Sequence, residues 1–381
     1  MKTLIRNTII GLILLSALSL AWGDQMPARR LLAREGKGYL ERVGTQLVLH
    51  LRGTPKEMGH QYGVLLREDI RANFRTLDRK GLWGLVPLHV LRKGLLDVVW
   101  QRESPFIPAR YLEEMKALAA GAGVSFNKVR RLNSLPELFH CSGFALFGGA
   151  TKDGALYHGR VLDYVVKMGL QDHNVVIITE PDGAIPYASV SYAGMVGVIT
   201  GMNREGVSLG EMGGAGFGHW RGMPMSLLMR RALEEAHTLA DAQRIFRTSR
   251  RTCQYFYVIG DSKIPGAVGV AATQKDIFFV QPNQAVKVLN VPIKDAVVLS
   301  LGDRYRTLTS RITRQWGNID AAAARDLMRR PVARGDNLHC VLMAPKTQEL
   351  WVAHASHTGQ PASEQPYQYL NIEELMRHEP L

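Results

Sequence analysis

A cysteine, an arginine and an aspartate stand close together near the middle of the chain, and these residue types could support nucleophilic catalysis. Cys141 supplies a thiol, and Arg160 and Asp163 follow it. The thiolate is the nucleophilic form of cysteine, and a nearby positive charge favours it. A carboxylate can orient the group that takes the proton from the nucleophile. The alternative is that Cys141 only fills the core, as small buried cysteines often do.

The sequence around these residues has the pattern of a β-hairpin. Small and apolar residues run over 142–151 and 155–164, with Lys152-Asp153-Gly154 between the two runs. Asp-Gly tolerates the positive φ angles of a tight turn, so the pattern predicts two antiparallel strands. Arg160 and Asp163 are three positions apart, and an ideal strand would direct them to opposite faces. A shared role for both therefore requires a bulge or a strand end over 159–163.

Two further segments belong to the same picture. Residues 201–206 read Gly-Met-Asn-Arg-Glu-Gly, which is a turn-like sequence around Asn203. Residues 51–63 read LRGTPKEMGHQYG, in which Thr54, Pro55 and Glu57 form the sequence of a helical capping box. The capping box predicts a helix from 55 to about 75.

Taken in order, these segments resemble the N-terminal-nucleophile (Ntn) cysteine hydrolases. The hairpin that begins at Cys141 is similar to the nucleophile hairpin of the isopenicillin N acyltransferase-like family, the acyl-coenzyme A:6-aminopenicillanic acid acyltransferases. The residues from Arg160 to Asp163 have the Arg-x-x-Asp spacing of the related choloylglycine hydrolases. Residues 201–206 resemble the Gly-x-Asn-x-x-Gly turn of that group. Residues 51–63 look like a glycine-rich segment of the acyltransferase pro-region.

The resemblance implies a self-processing enzyme in which one residue acts twice. The thiol of Cys141 would attack the carbonyl carbon of His140, and hydrolysis of the resulting ester-like link would leave Cys141 as a new N-terminus. Its α-amine, with an ordinary pKa of about 7.7–8, would then be the general base. The family usually has Gly at the position of His140, and Gly relaxes more easily into a distorted scissile peptide. His140 would slow the cleavage or take part in it.

The resemblance also assigns roles to the other candidates. Arg160 would favour the thiolate, Asp163 would orient the amine, and Asn203 would donate to the oxyanion. Arg304 is similar to the late arginine of the choloylglycine hydrolases. Two alternatives stay open: Asn203 is an ordinary turn residue, and Arg304 caps or solvates its helix. Asn283 is the nearest candidate for a second oxyanion donor, although its surroundings match the family poorly.

The rest of the chain predicts an α+β fold, and the resemblance implies the four-layer αββα sandwich of the Ntn hydrolases. Residues 1–23 have the basic start, apolar run and small final residues of a signal peptide. Residues 24–140 are interpreted as a strand and a mainly helical pro-region, and 141–381 as the catalytic region of alternating strands and helix pairs. Residues 213–216, Gly-Gly-Ala-Gly, are interpreted as a flexible loop.

Composition narrows the partners. The 381 residues carry a formal net charge of +13, but the basic residues are scattered in pairs beside apolar helical stretches. Nucleic-acid binding proteins concentrate such charge, so no nucleic-acid partner is expected, whereas attraction to an anionic membrane remains open. Three cysteines in an exported chain leave at least one unpaired. Cys253 and Cys340 could pair, or all three could be reduced.

These observations lead to one hypothesis and two alternatives. The hypothesis is an exported, periplasmic or secreted, Ntn-type cysteine amidohydrolase or acyltransferase acting on a small N-acyl amide at a non-peptide C–N bond. No cofactor or metal is implied, because the histidines lack metal-ligand spacing. One alternative is an unprocessed cysteine hydrolase with a histidine base such as His140. The other is a catalytically inactive exported binding protein.

Overall fold

The computed structural model describes residues 24–80, 91–134, 141–287, 289 and 291–380. The predicted signal peptide and His140 lie outside these residues. So does the first part of 84–101, an apolar stretch that predicts a helix. Within the described ranges, no helix combines the length and the apolar character that a membrane crossing requires.

The region before the hairpin contributes three strands and a group of helices. The strands are β1 (Arg29–Glu35), β2 (Gly38–Val43) and β3 (Gln46–Gly53). The helices are α1 (Pro55–Leu65), α2 (Arg67–Lys80), α3 (Leu91–Glu103), α4 (Ala109–Ala122) and α5 (Phe126–Asn133). The predicted capping box is present at the start of α1. The single helix predicted over 55–75 is wrong, because Leu66 leaves the helical conformation and divides it in two.

The glycines of residues 51–63 have a packing role. A Cβ at Gly59 would lie 2.2 Å from the carbonyl oxygen of Glu114, and one at Gly63 would lie 2.3 Å from that of Leu118. Both distances are far below any real carbon contact. The two glycines therefore let α1 lie directly against α4.

Strands β1 to β3 belong to a ten-stranded sheet, here called sheet A. Its order is β1-β2-β3-β6-β7-β8-β9-β10-β11-β12, and β3 pairs with β6 in parallel while the other neighbours are antiparallel. The later strands are β6 (Asn174–Pro181), β7 (Tyr187–Tyr192), β8 (Thr200–Asn203), β9 (Val207–Ala215), β10 (Gln254–Asp261), β11 (Gly266–Thr273) and β12 (Ile277–Val280). The boundary at residue 140 therefore does not separate two structural units.

A six-stranded antiparallel sheet, sheet B, holds the hairpin. Its order is β13-β4-β5-β14-β15-β16. The strands are β4 (Ser142–Gly148), β5 (Gly154–Leu162), β13 (Ala296–Leu299), β14 (His339–Ala344), β15 (Glu349–His354) and β16 (Gln368–Asn371). The predicted hairpin of β4 and β5 is confirmed, and β14 and β15 form a second hairpin.

The two sheets pack face to face, and helices cover their outer faces. Strands β4, β5 and β13 contact β9, β10 and β11 across the interior. On the outer faces, α6 (Met225–Glu235) and α7 (Leu239–Thr248) pack on sheet A, and α8 (Gly302–Gln315) and α9 (Ala321–Leu327) pack on sheet B. A short helix, α10 (Ile372–Arg377), follows β16. This is the expected four-layer αββα arrangement, so the α+β fold class is confirmed.

Two local predictions are wrong. Residues 213–215 are the end of β9 and pair with β10, so they are not a flexible loop. A Cβ at Gly214 would lie 1.5 Å from the carbonyl oxygen of Gln254, which explains why glycine occupies a paired strand. The residues of 195–200 predict a strand, but the strand begins only at Thr200. The glycines of 213–216 were interpreted as a loop signal, whereas they reflect the close approach of two backbones.

Candidate functional site

Cys141 lies where the sequence predicts it, immediately before β4 and buried in the interior. The register of the hairpin places Gly143 opposite Arg160. Arg160 is fully buried, and its Nη2 donates to Sγ of Cys141 over 3.8 Å. The structure therefore brings together the thiol and the guanidinium that the sequence proposed as partners.

The guanidinium of Arg160 is held by a residue that the sequence analysis missed. Glu211, on β9 of the facing sheet, accepts from Nη2 at 3.1 Å with its carboxylate and from Nε at 2.9 Å with its carbonyl oxygen. Both side chains have no exposed surface. Glu211 stands in a strand of otherwise small and apolar residues, and that isolated acid was the available signal. It was overlooked because the following glycines were interpreted as a loop.

A histidine completes the surroundings of Arg160. Nη1 of Arg160 lies 2.9 Å from Nε2 of His339, which is also fully buried. Oγ1 of Thr200 lies 3.2 Å from the same nitrogen, and the hydroxyl of Tyr192 lies 3.1 Å from Nδ1. Strands from both sheets thus supply one continuous polar group inside the sandwich. We call the set of Cys141, Arg160, Glu211, His339, Tyr192 and Thr200 the Cys141 cluster.

Glycines make room for the Cys141 cluster between the sheets. A Cβ at Gly210 would lie 3.1 Å from Cγ of Arg160 and 3.0 Å from Nε2 of His158. A Cβ at Gly143 would lie 2.6 Å from the sulfur of Met212. His158 itself bonds to Ser208 at 2.9 Å, and burial lowers its pKa to about 3, so it is neutral.

Asp163 and Arg304 form a second, adjacent group. β5 ends at Leu162, so the strand end required by the spacing is present and Asp163 lies just beyond it. Its carboxylate is ion-paired with Arg304 of α8 and accepts the backbone N–H of Arg334 at 3.0 Å. Arg304 also donates to the carbonyl oxygen of Val332 at 2.7 Å, so its side chain does not simply solvate the helix.

The ionisation of Asp163 is opposed by its surroundings. Burial raises the pKa of Asp163 to about 6, and the positive charge of Arg304 offsets only part of this effect. The charge of Arg160, three residues earlier in the chain, also lowers the pKa of this carboxylate, in the same direction as Arg304. A carboxyl group held near its protonation point is a feature that active sites share more often than other regions.

The structure does not bring Asn203 to the Cys141 cluster as an oxyanion donor. Both N–H bonds of its amide are taken, since Nδ2 donates to the carbonyl oxygens of Leu233 and Ala236 at 3.0 and 2.9 Å. Its Oδ1 accepts the N–H of Val207 at 2.9 Å. Asn203 therefore ties the β8–β9 turn to the end of α6, and the oxyanion assignment is corrected to the structural alternative. Asn283 lies in an exposed turn with a φ of 59°.

The other two cysteines differ from Cys141 in their surroundings. Cys253 and Cys340 are reduced and buried in the structure, so the disulfide between them is absent. Burial raises the pKa of Cys253 to about 11 and that of Cys340 to about 12. These two thiols are therefore poor nucleophiles at neutral pH.

A small apolar cavity adjoins the Cys141 cluster. It has a volume of about 60 Å³ and includes Tyr192, whose hydroxyl contacts His339. Ile199 and Leu338, which precede Thr200 and His339, also line it. Most of the remaining lining is aliphatic or methionine, from Leu77, Leu132, Leu162, Met168, Leu170, Met195 and Met225. An apolar cavity beside a few convergent polar groups is the usual form of a small-molecule site.

Comparisons with known proteins agree with this picture. Residues 150–289 match the family described as acyl-coenzyme A:6-aminopenicillanic acid acyl-transferase. The matched residues include Arg160, Asp163 and Glu211 and begin after Cys141. The family resemblance inferred from the sequence is therefore confirmed over this span.

The curated relatives are similar over more of the chain but carry no activity in their names. An uncharacterized protein of Archaeoglobus fulgidus is 26% identical over 77% of this chain and 60% of its own length. Protein dcd1A of Dictyostelium discoideum is 25% identical over 57% of this chain and 56% of its own length. The chain thus spans little more than half the length of these relatives.

Two solved structures are similar to this chain over part of its length. A Caenorhabditis elegans ortholog of N-acylethanolamine-hydrolyzing acid amidase is 18% identical, with a TM-score of 0.46 over 54% of this chain and 93% of its own. A mutant conjugated bile acid hydrolase from Clostridium perfringens is 10% identical, with a TM-score of 0.41 over 61% of this chain and 93% of its own.

Proposed function

We propose that the protein is an exported Ntn-type cysteine enzyme in which Cys141 attacks the carbonyl carbon of a small N-acyl amide. The observation that carries the proposal is the contact of 3.8 Å between Nη2 of Arg160 and Sγ of Cys141 at the start of the hairpin. A positive charge at this distance favours the thiolate. The family match over 150–289 supports acyl transfer or amide hydrolysis as the reaction class.

The reaction proceeds through an acyl-enzyme. Sγ of Cys141 forms a bond to the carbonyl carbon, the C–N bond breaks, and the amine leaves with the proton released by the thiol. Water then attacks the thioester and releases the carboxylic acid, or an acceptor amine takes the acyl group. With Cys141 as the N-terminal residue, its α-amine carries the proton between these steps. Asp163 holds the amine in place.

The apolar cavity supports an acyl group as the part of the substrate that enters the protein. Its lining offers no charged side chain, whereas the Cys141 cluster, which meets the cavity at Tyr192, is polar. An acyl chain in the cavity would leave its amide carbonyl at the polar end. The methionines among the lining residues adapt to chains of different shape, because the thioether side chain is flexible.

Intact mass and N-terminal sequencing of the exported protein test the processing step. We expect two fragments, the second beginning at Cys141, and loss of the leader over 1–23. A single chain beginning near Asp24 would remove the α-amine base and would favour the unprocessed thiol enzyme.

The nucleophile is tested by replacing it together with a matched thiol. Cys141→Ala is expected to abolish fragment formation and hydrolysis of a panel of N-acyl amides. Cys253→Ala removes an equally buried thiol and is expected to retain both. Hydrolysis that survives in Cys141→Ala would overturn the proposal.

A further inference from the structure

His339 is a fully buried imidazole to which the proposed reaction assigns no role. It begins β14, next to β5, and the two strands pair so that His339 lies opposite Leu162. Leu162 is two residues beyond Arg160, so all three side chains lie on the same face of sheet B. His339 is therefore a direct neighbour of the guanidinium that contacts Cys141.

The hydrogen bonds determine the tautomer of this ring. A guanidinium has donors and no acceptor, so Nη1 of Arg160 must donate to Nε2 of His339 across 2.9 Å. Nε2 consequently carries no hydrogen. A neutral ring then carries its hydrogen on Nδ1, which donates to the hydroxyl of Tyr192 at 3.1 Å. Thr200 donates to Nε2 as well, from 3.2 Å.

The surroundings keep the ring neutral. Arg160 faces it from β5, and His354 faces it from β15 with ring centroids 6.1 Å apart. Tyr192 and Thr200 face it from sheet A, while Glu211 is directed at the far side of the guanidinium. Burial, together with the charge of Arg160, holds the pKa of His339 well below its usual range. An imidazolium would also set an N–H against the N–H of Arg160.

We propose that His339 is a positioning residue that fixes Arg160 against Cys141 by acting as a neutral hydrogen-bond acceptor. The inference rests on the proposed function, since it assigns a role in activating the same thiol. Glu211 holds the guanidinium at Nε and Nη2, and His339 holds it at Nη1. With the guanidinium held in this way, Nη2 also donates to Sγ of Cys141.

Two isosteric variants separate positioning from simple packing. The amide of glutamine reaches the position of Nε2, so His339→Gln keeps an acceptor for Arg160. The amide of asparagine reaches only the position of Nδ1, so His339→Asn keeps the contact with Tyr192 and loses the one with Arg160. Both variants remove the ring and retain a neutral polar group, which makes each a control for the other.

The readout is the rate at which iodoacetamide alkylates Cys141 as a function of pH, measured on the mature protein by peptide mass spectrometry. Cys253 and Cys340 serve as internal references, because burial raises both of their pKa values. For His339→Asn we expect the midpoint of the alkylation profile to rise by about 1 pH unit and the rate at pH 7 to fall about tenfold. For His339→Gln we expect a rate within about threefold of the parent, and hydrolysis should follow alkylation in both variants.

The outcomes distinguish this inference from the proposed function. Equal losses in both variants would mean that the ring only packs, and an unchanged alkylation profile in both would also overturn the inference. If the parent protein shows no preferential alkylation of Cys141, the proposed function itself fails. If His339→Asn does not fold, Tyr192→Phe provides the test, because it removes the acceptor for Nδ1 and permits the tautomer that opposes Arg160. It should slow alkylation by about threefold, and an unchanged rate would overturn the inference.

Discussion

A buried arginine–glutamate group lies against each face of sheet A. The two groups differ in whether the guanidinium also contacts a side chain that can react. On the helix side, Arg230 donates Nε to Glu234 at 2.8 Å and both terminal nitrogens to Glu114 at 2.9 and 2.6 Å. The hydroxyl of Tyr111 donates to Glu234 at 2.7 Å, and the carbonyl oxygen of Val196 accepts from Arg230 at 3.1 Å. Two carboxylates thus surround one guanidinium.

On the interior side, the partners of Arg160 include the carboxylate of Glu211, a neutral imidazole and a thiol. Its surroundings thus contain a group that can react, in contrast to the two carboxylates around Arg230. A buried ion pair that is saturated by charge stabilises or orders its region, whereas one that points a donor at a thiol alters the chemistry of that thiol. Cavity size alone would favour the Arg230 group as the functional site. A cavity of about 870 Å³ lies against that group, whereas the cavity beside the Cys141 cluster has about 60 Å³.

The largest expected effect tests the structural group. Arg230→Met leaves the carboxylates of Glu114 and Glu234 buried without their partner. We expect the free energy of unfolding to fall by about 3–5 kcal/mol, the usual cost of breaking a buried ion pair from one side. Urea denaturation measures it. Adding Glu114→Leu and Glu234→Leu should restore much of the loss, and failure of the triple variant to recover would mean that the group does more than neutralise charge.

The same conservative change in both groups should separate activity from stability. Arg160→Lys keeps the charge but cannot reach Glu211, His339 and Cys141 at once. We expect kcat/KM for amide hydrolysis to fall at least about 100-fold, or about 2.7 kcal/mol. Arg230→Lys is the matched control, with reduced stability and unchanged kcat/KM of the folded protein. Equal losses of activity in the two variants would remove the distinction between the groups.

Asn203 lies on the structural side of sheet A and supplies a third test. Asn203→Ala removes three buried hydrogen bonds at the end of α6. We expect it to cost about 2 kcal/mol of stability and to leave kcat within about threefold. Thermal unfolding and steady-state kinetics measure the two quantities. A loss of kcat of about 100-fold or more, as for an oxyanion donor, would restore the assignment that the structure corrects.

The smallest effect concerns Asp163. Its pKa in the folded protein, about 6, is higher than the ordinary 3.8, so the folded state binds this proton more tightly than the unfolded state. Ionisation therefore lowers stability as pH rises from about 4 to about 6, and the cost is fully present above that range. Asp163→Asn, neutral at every pH, should be more stable than the parent at pH 7.5 by on the order of 1–3 kcal/mol, because the raised pKa already includes the charged contact with Arg304.

Two pH series complete that test. The stability difference between Asp163→Asn and the parent should vanish near pH 4, where both are neutral at this position. The parent should lose hydrolysis as pH falls through about 6, whereas the variant, neutral at this position at every pH, should show the low hydrolysis of the protonated parent throughout. A variant that is less stable than the parent at every pH would show that the pair with Arg304 outweighs burial.

Sequence patterns predicted the hairpin, the helix pairs and the contact of Cys141 with Arg160, because alternation and turn chemistry are local. The family resemblance proposed Asp163 and Arg304 as site residues, and the structure pairs these two side chains with each other. Glu211 and His339 could not be found in this way, since they reach Arg160 from other strands and only strand order brings them there. Asn203 was misassigned because a turn asparagine and an oxyanion donor have the same local sequence. The glycines of β9 were misread because close backbone packing and loop flexibility favour the same residue.

The parallel pairing of β3 with β6 would have a consequence for the protein if the proposed cut before Cys141 takes place. The leading piece would keep three strands of sheet A, and the trailing piece would keep the other seven. Neither piece could leave without exposing a long unpaired edge, which is a template for aggregation. Such a protein is an obligate two-chain assembly produced from one polypeptide. Its fragments should co-purify under native conditions and separate only in denaturant, and re-forming it from isolated pieces would be a bimolecular reaction that depends on concentration.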